Sequence, residues 1–254
     1  MMDRSGVVGN RLLAMLPPAD FSLLAPHLQK ISLEQDAVLL RTGDRIPYIY
    51  FPHSGAISFM LDMTNGQTVA TAIVGHDGAV GVLSVLGPAR SSVTAVVRMA
   101  GTASQIPTAR FLAAFRQSSV IRDAVQAHTR AMLVQFQHGA ACNALHPVEA
   151  RTARWLLQIH DLIDHDVMPL TQETLSQLLG VRRTTVTQVI QKLRADGAVR
   201  SERRGLIEID RPRLERAACE CYEIMRHKVD DIIHESTAAH ADTPRVPETP
   251  DAVG

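Results

Sequence analysis

The sequence predicts an α+β protein: an N-terminal antiparallel β-roll, one long helix, and a C-terminal helical unit carrying a two-stranded finger. Three observations predict it. Residues 31–106 run in short Val-, Ile-, Thr- and Ala-rich stretches separated by glycine-containing turns. Residues 108–144 contain no proline, and no glycine before Gly139. Residues 170–210 carry two short helical periods followed by two short strands. The boundaries are 11–116 for the roll with its flanking helices, 117–145 for the long helix, 148–235 for the C-terminal domain and 236–254 for a tail.

From Leu12 to Lys30, leucines and Phe21 recur at helical spacing around Pro17-Pro18, which predicts two short helices. The period then shortens, with breaks at Gly43-Asp44, Pro52 to Gly55, Asn65-Gly66, Gly75 to Gly78 and Gly87-Pro88. Asn65-Gly66 lies between two apolar runs and suits a tight hairpin whose two central residues both take positive φ.

The long helix carries two apolar stripes. One is Val120, Ala124, Ala127, Ala131 and Val134; the other is Ile121, Val125, Met132 and Phe136. Two buried faces predict that one packs on the roll and the other, the Val120 stripe, on a second copy of the chain. His146-Pro147 interrupts the pattern, because proline disfavours helical geometry in the residue before it, and helical spacing resumes through Trp155 and Leu156. From Ser236 onward Thr, Pro, Ala and Asp predominate, which predicts a mobile tail.

The chain of 254 residues is 46% hydrophobic and 20% charged, enough to bury a core in each of two domains. Basic and acidic residues balance at 26 each, so any nucleic-acid surface must come from local clustering. Cys142, Cys219 and Cys221 include no CxxC pair, which argues against a disulfide framework and against a tetrahedral zinc site, and fits a reducing cytoplasm. Cys219 and Cys221, one residue apart on an expected helix, should point to different sides. Neither an export signal nor a membrane-spanning run is expected.

The most informative stretch is Leu170 to Asp210. Thr171 is a good N-cap, with Glu173 in the first turn where its charge suits the helix dipole. Leu175, Leu178 and Leu179 supply a buried face, and Gly180 sits where two crossing helices need a tight turn. In the next helix Val186, Val189, Ile190 and Leu193 share one face, leaving Arg182, Arg183, Thr184, Thr185 and Gln188 outward near its start. Gly197 ends it, and Val199 to Ser201 with Leu206 to Ile209 make strands around the basic tip Arg203-Arg204-Gly205. The result is a helix-turn-helix with a wing. Between Thr171 and Arg216 ten basic residues face six acidic ones, so this end is basic in a neutral chain.

The run Leu170-Thr171-Gln172-Glu173, then Leu179 through Thr187, Gly197 and Arg204-Gly205, resembles the winged-helix signature of Crp/Fnr transcription regulators. Upstream, Gly43-Asp44, Ile49-Tyr50-Phe51, Gly55, Asn65-Gly66 and the Asp77-Gly78 to Gly81 turn follow the order of that family's cyclic-nucleotide-binding-like jelly roll, and the long helix follows them. The resemblance spans about Phe21 to Glu215. It implies a cytoplasmic bacterial homodimer that binds a pseudo-palindromic duplex and contacts RNA polymerase. It further implies that Arg183, Thr184 and Gln188 read base edges, while Arg182, Thr185, the helix start at Thr171 and Gln172, and the wing's Arg203 and Arg204 meet phosphates. Where the family usually has a Ser N-cap, this chain has Arg182.

The sensor half departs from the cyclic-AMP pattern. The ribose-binding turn reads Gly81-Val82-Leu83 and lacks the carboxylate; Ser91-Ser92 stands at the phosphate position with Arg90 one residue away; Phe136-Gln137 replaces the Thr-Ser pair offered to adenine. An unpaired phosphate in an apolar pocket is costly, so the effector expected of this pocket is something other than cyclic AMP. No cofactor is predicted. An iron-sulfur cluster of the Fnr kind needs four thiolates, and three late cysteines do not supply them. His53, His76, His128 and His138 read as solvated or hydrogen-bonded side chains rather than haem ligands. No nucleophile or phosphate-cradling motif marks an enzyme. The rivals are a cupin-like metalloenzyme using His53 and His76, which lacks a His-x-His pair, and a winged domain serving protein contacts alone.

Overall fold

The computed structural model describes residues 9–87, 90–163, 165–203 and 205–241. At its start, the buried Asn10 uses all of its amide. Its Oδ1 accepts from the backbone N–H groups of Leu12 and Leu13 and caps α1 (Arg11–Ala14), while Nδ2 donates to the carbonyls of Pro52 and Gly78. A second short helix, α2 (Pro18–Phe21), follows with proline in its first turn, as the Pro17-Pro18 break predicts.

The roll has two antiparallel sheets. One orders β1 (Gln29–Leu33), β7 (Gly101–Pro107) and β3 (Tyr48–Pro52); the other orders β2 (Val38–Leu40), β6 (Thr94–Met99), β4 (Ala56–Asp62) and β5 (Thr68–Val74). The β4–β5 hairpin lies where expected, but its turn is not the two-residue kind. Thr64, Asn65 and Gly66 separate the Met63–Gln67 pair, and of these only Gly66 has positive φ, at +80°. Asn65 instead accepts the Gln67 N–H through its side chain, the alternative that a short amide offers. Between β3 and β4, Gly55 has φ +84°, and a Cβ there would stand 2.5 Å from the Met99 carbonyl. That position tolerates glycine alone.

After α3 (Thr108–Gln117), Ser118 caps the long helix α4 (Ser119–Leu145) by accepting from the Ile121 N–H, and its hydroxyl donates to Asp20 at 2.6 Å. Ile121, Val125 and Met132 lie buried in the roll's core, with Phe136 half-buried against it. The Val120 stripe, assigned from the sequence to a second copy, is covered within the chain. Val120 and Ala124 also join the roll's core, Ala127 and Ala131 are buried, and Val134 packs beside three cysteines.

Towards the C-terminal end of α4 the cover is helix α9 (Cys221–Ala241), which runs antiparallel along α4 between a His146–Glu220 contact and an Arg130–Glu235 ion pair, each at 3.1 Å. Helical structure through Ala241 also corrects the start of the expected tail at 236; alanines sustain the helix there without large apolar groups. Residues 242–254 of that tail lie outside the described residues. The face of α4 left open carries Gln126, Arg130, Leu133, Gln137, Ala141 and Ala144, with Leu133 52% exposed.

His146 is extended (φ −105°, ψ 144°) before Pro147 and separates α4 from α5 (Val148–His160). The C-terminal domain adds β8 (Val167–Met168), α6 (Gln172–Leu179), α7 (Arg183–Ala195), β9 (Val199–Arg203), β10 (Leu206–Ile209) and α8 (Arg211–Ala217), its strands ordered β8-β10-β9. Its core of Trp155, Leu156, Leu175, Val186, Ile190 and Ile207 is continuous with Ala56, Met60, Ala70, Ile73 and Met99 of the roll. Polar bonds cross the same seam. The buried Arg98 of β6 donates to Gln177 of α6 at 2.9 Å and pairs with Asp36 at 3.6 Å, and Gln35 donates to the Pro169 carbonyl at 3.1 Å. Farther round, Tyr222 donates to Asp161 at 2.8 Å and accepts from Arg211 at 2.7 Å; burial and the neighbouring carboxylate push its hydroxyl up to about 12.

His128, buried on α4, donates through Nε2 to the Ala79 carbonyl at 3.1 Å, and burial holds its ring down to about 4. The folded protein therefore keeps it neutral in the window from 6.5 to about 4, where the unfolded chain takes up a proton. Stability is fully present above pH 6.5 and is lost as pH falls towards 4. His128→Gln, which keeps a donor but does not titrate, should lose about 2 kcal/mol less stability than the parent between pH 7 and 5. Urea titrations followed by the single tryptophan, Trp155, measure this; equal losses would show that His128 is not held neutral.

Candidate nucleic-acid interface and effector cavity

The helix-turn-helix is built from α6 and α7. Thr171 caps α6 by accepting the Thr174 N–H at 3.1 Å, so its hydroxyl is already engaged in the free protein. Gly180 ends α6 in the left-handed region (φ +65°), and a Cβ there would come within 3.2 Å of Val69 on β5. The turn residue thus also fits the helix pair against the roll. Arg182 stands at the N-cap of α7 and makes no side-chain cap bond, since a guanidinium has no acceptor to offer the first backbone N–H groups.

With Val186, Val189, Ile190 and Leu193 buried, the opposite edge of α7 faces solvent. Arg182, Arg183, Thr184 and Gln188 are exposed on it, and Thr185 is half-buried. Two contacts here were not foreseen. Arg183 forms a close ion pair with Glu173 of α6, and Gln172 accepts from the Thr187 hydroxyl at 3.1 Å. Their signal in the sequence is weak, since it requires knowing how the two helices cross. Arg183 remains 68% exposed, and a surface pair of this kind is worth at most about 1 kcal/mol.

The wing is the β9–β10 hairpin, in which Arg203 pairs with Leu206 through the backbone; Arg204 lies outside the described residues. Gly205 (φ +79°) brings the hairpin to Thr171, 3.2 Å from where its Cβ would stand, so the wing sits beside the start of α6. At the hairpin's base Arg200 binds Asp210 at 3.1 Å, and Asp210 caps α8; these bonds hold the Asp210 carboxyl below its ordinary range.

In the roll, a cavity of about 180 Å³ is lined by Val82, Leu83, Arg90, Ser91, Ser92 and Phe136, together with His128 and Met132. These are the residues expected to face an effector, with one exception. Gln137 is exposed and does not line it, because the residue after Phe136 is turned about a third of the way around the helix. Arg90 donates to the Gly43 carbonyl at 2.8 Å and, among the described residues, is the one guanidinium on the cavity wall, where no described carboxylate lies. The volume is below the roughly 300–1,000 Å³ of most small-molecule sites.

The cysteines do not stand apart as their spacing suggests. Cys219 precedes α9 and only Cys221 is helical, so the helical argument for divergent side chains does not apply, and both thiols meet Cys142 and His146 from the end of α4. The His53 and His76 pair has no counterpart to this: among the described residues, no group of three metal-ligating side chains other than the Cys142 one comes together. His53 binds Ser104 at 2.8 Å and is held below its usual range by burial.

Comparison with known proteins bears on this geometry. Residues 30–118 match the model of the cyclic nucleotide-binding domain, and residues 150–217 match the Crp-like helix-turn-helix domain. No curated protein matches the sequence. Similar solved structures include FixK2 from Bradyrhizobium japonicum (17% identity, 76% of this chain and 98% of that one, TM-score 0.65). A putative transcriptional regulator of the crp/fnr family from Eubacterium rectale is alike (17% identity, 81% and 96%, TM-score 0.65). So is CLP, a c-di-GMP responsive global regulator from Xanthomonas campestris (20% identity, 76% and 99%, TM-score 0.58). At these identities the structures speak for the fold. The two domain matches, in this order and together taking in well over half of the sequence, carry the assignment: the chain belongs to the Crp/Fnr family of transcription regulators.

Proposed function

We propose that the protein is a homodimeric, sequence-specific binder of duplex DNA, controlled by an effector other than cyclic AMP held in the roll. The observation that carries the reading is the open edge of α7, where Arg182, Arg183, Thr184 and Gln188 face solvent beside a basic hairpin. A helix in this setting fits a major groove by its N-terminal end. Arg183 can grip guanine O6 and N7 with two bonds once it leaves Glu173, Gln188 can pair with adenine, and Thr184 adds a less selective contact. Arg182, Thr185, Thr171, Gln172, Arg203 and Arg204 meet phosphates, which position the protein without reading sequence.

The second copy is assigned to the open face of α4, through Leu133, Gln137, Ala141 and Ala144, in place of the stripe that α9 covers. Small residues there allow close helix approach. Two α7 helices then enter successive major grooves about one turn apart on a pseudo-palindromic site. Contact with RNA polymerase rests on the family resemblance alone. Against cyclic AMP stand the small cavity, Val82 where a carboxylate would hold the ribose, and the engagement of Arg90 with Gly43.

Three outcomes are expected. In binding assays on duplexes selected in vitro, Arg183→Ala loses about 1–3 kcal/mol on the selected site and little on random DNA; equal losses on both would remove its base-reading role. Arg203→Ala and Arg204→Ala weaken binding to all duplexes, each flattening the dependence of log K on log salt by about one. Calorimetric titration with cyclic AMP shows no micromolar binding. Should the protein fail to bind any duplex in a salt-dependent way, the winged domain serves protein contacts instead. A monomer mass at operator-binding concentrations would remove the dimer.

A further inference from the structure

Four ligand atoms converge where the end of α4 meets the start of α9. Cys142 lies on the last turn of α4 and His146 immediately follows that helix, Cys219 comes from the α8–α9 connection, and Cys221 opens α9. The three Sγ atoms and one ring nitrogen all lie within 4.8 Å of one another. Cys142 Sγ is 3.5 Å from Cys219 Sγ, and Cys221 Sγ is 3.5 Å from His146 Nδ1. A tetrahedron with metal–sulfur bonds of about 2.3 Å and a metal–nitrogen bond of about 2.0–2.1 Å has edges of about 3.5–3.8 Å. The sulfurs are also too far apart for a disulfide, whose bond is about 2.05 Å. We infer that Cys142, His146, Cys219 and Cys221 form a structural zinc site that staples the C-terminal helix to the long helix.

The surroundings fit this donor set. His146 presents Nδ1 to the thiols while its Nε2 faces Glu220 at 3.1 Å, so the carboxylate can accept a hydrogen bond from Nε2–H and fix the tautomer a metal needs. Three thiolates and one Zn²⁺ leave a net charge of −1. Beside Cys142 lies Arg154, 3% exposed, with an unpartnered Nε and no carboxylate paired to it among the described residues. A buried guanidinium without a counter-charge is costly; the thiolate cluster supplies that charge. Arg151, also without a carboxylate partner among the described residues, donates to the Asn143 and Leu179 carbonyls nearby. Three sulfurs and one imidazole make a soft, closed set that favours Zn²⁺ over Mg²⁺ or Ca²⁺ and leaves no open position for catalysis. On binding, the hydrated ion loses water, three Sγ–H protons pass to the buffer, and three Zn–S bonds and one Zn–N bond form.

The test uses full-length protein purified without chelator under reducing conditions. Elemental analysis should find about one zinc per chain, and Cys142→Ser, Cys219→Ser or His146→Ala should lose it. Replacing zinc by Co²⁺ in the parent should give thiolate charge-transfer bands with the intense visible bands of a tetrahedral site. The parent covers the case of variants that fail to fold: all three thiols should resist alkylation until a strong chelator is added, and chelation should lower the melting temperature. Glu220→Gln should keep the site but weaken metal affinity about 10–100-fold. Substoichiometric zinc together with no tetrahedral Co²⁺ spectrum overturns the proposal, as does a Cys142–Cys219 disulfide in the metal-free protein as isolated.

Discussion

The fold depends on how one helix, α4, disposes of its apolar surface. It carries more than a single neighbour can cover, and it divides the excess by side-chain size. Ile121, Val125 and Met132, with bulk to fill a sheet interior, point into the roll. Ala127 and Ala131 are small enough for the helix α9 to lie close along α4, and are buried. What remains exposed is Leu133, and Leu145 at the helix end, among polar and small residues. Because α9 belongs to the C-terminal domain and the roll to the other, any shift of α4 is felt in both.

A second constraint acts on the same arrangement. The helix-turn-helix does not hang from α5 by a free hinge; its core runs on into the outer face of the β4–β5–β6 sheet. Burying Arg98 in that seam lowers its affinity for a proton and would be unfavourable without Gln177 and Asp36. Gly180 has the complementary role, since a side chain there would push against Val69. Polar matching and close approach together select one docking of α6 on the roll. A different docking would strand Arg98 without Gln177.

Much of this was legible in the residues. The change of apolar period at Ile31, the proline-free run after Pro107, the His146-Pro147 break and the Thr171, Gly180 and Gly197 punctuation are local signals, and each gave the right element. The misreadings of the long helix and of the cysteines share a cause, while that of the hairpin turn is local. The Asn65-Gly66 turn gained a residue because a side-chain bond to Gln67 replaced a strained φ. The Val120 stripe was given to a second copy because nothing in a helix's own period says which neighbour covers it. The cysteines were judged by distance along the chain, whereas the α8–α9 connection carries Cys219 across 77 residues to Cys142. Contacts between distant segments leave no periodic trace.

The Glu173–Arg183 pair links these constraints to DNA recognition. In the free protein Glu173 sits in the first turn of α6, where its charge suits the helix dipole, and it also holds the guanidinium proposed to read a base. Releasing Arg183 costs little in exposed surroundings, about 1 kcal/mol at most. A bidentate guanine contact, worth about 1–3 kcal/mol of discrimination, outweighs that cost, whereas a single phosphate contact does not clearly do so. Held this way, Arg183 is spared for partners that offer two aligned acceptors. The same carboxylate, left alone near the duplex backbone, repels phosphate when the right base is missing. On the proposed reading, an acidic residue at the start of α6 would thereby sharpen the selectivity of a cation on α7, through the crossing of two short helices around Gly180.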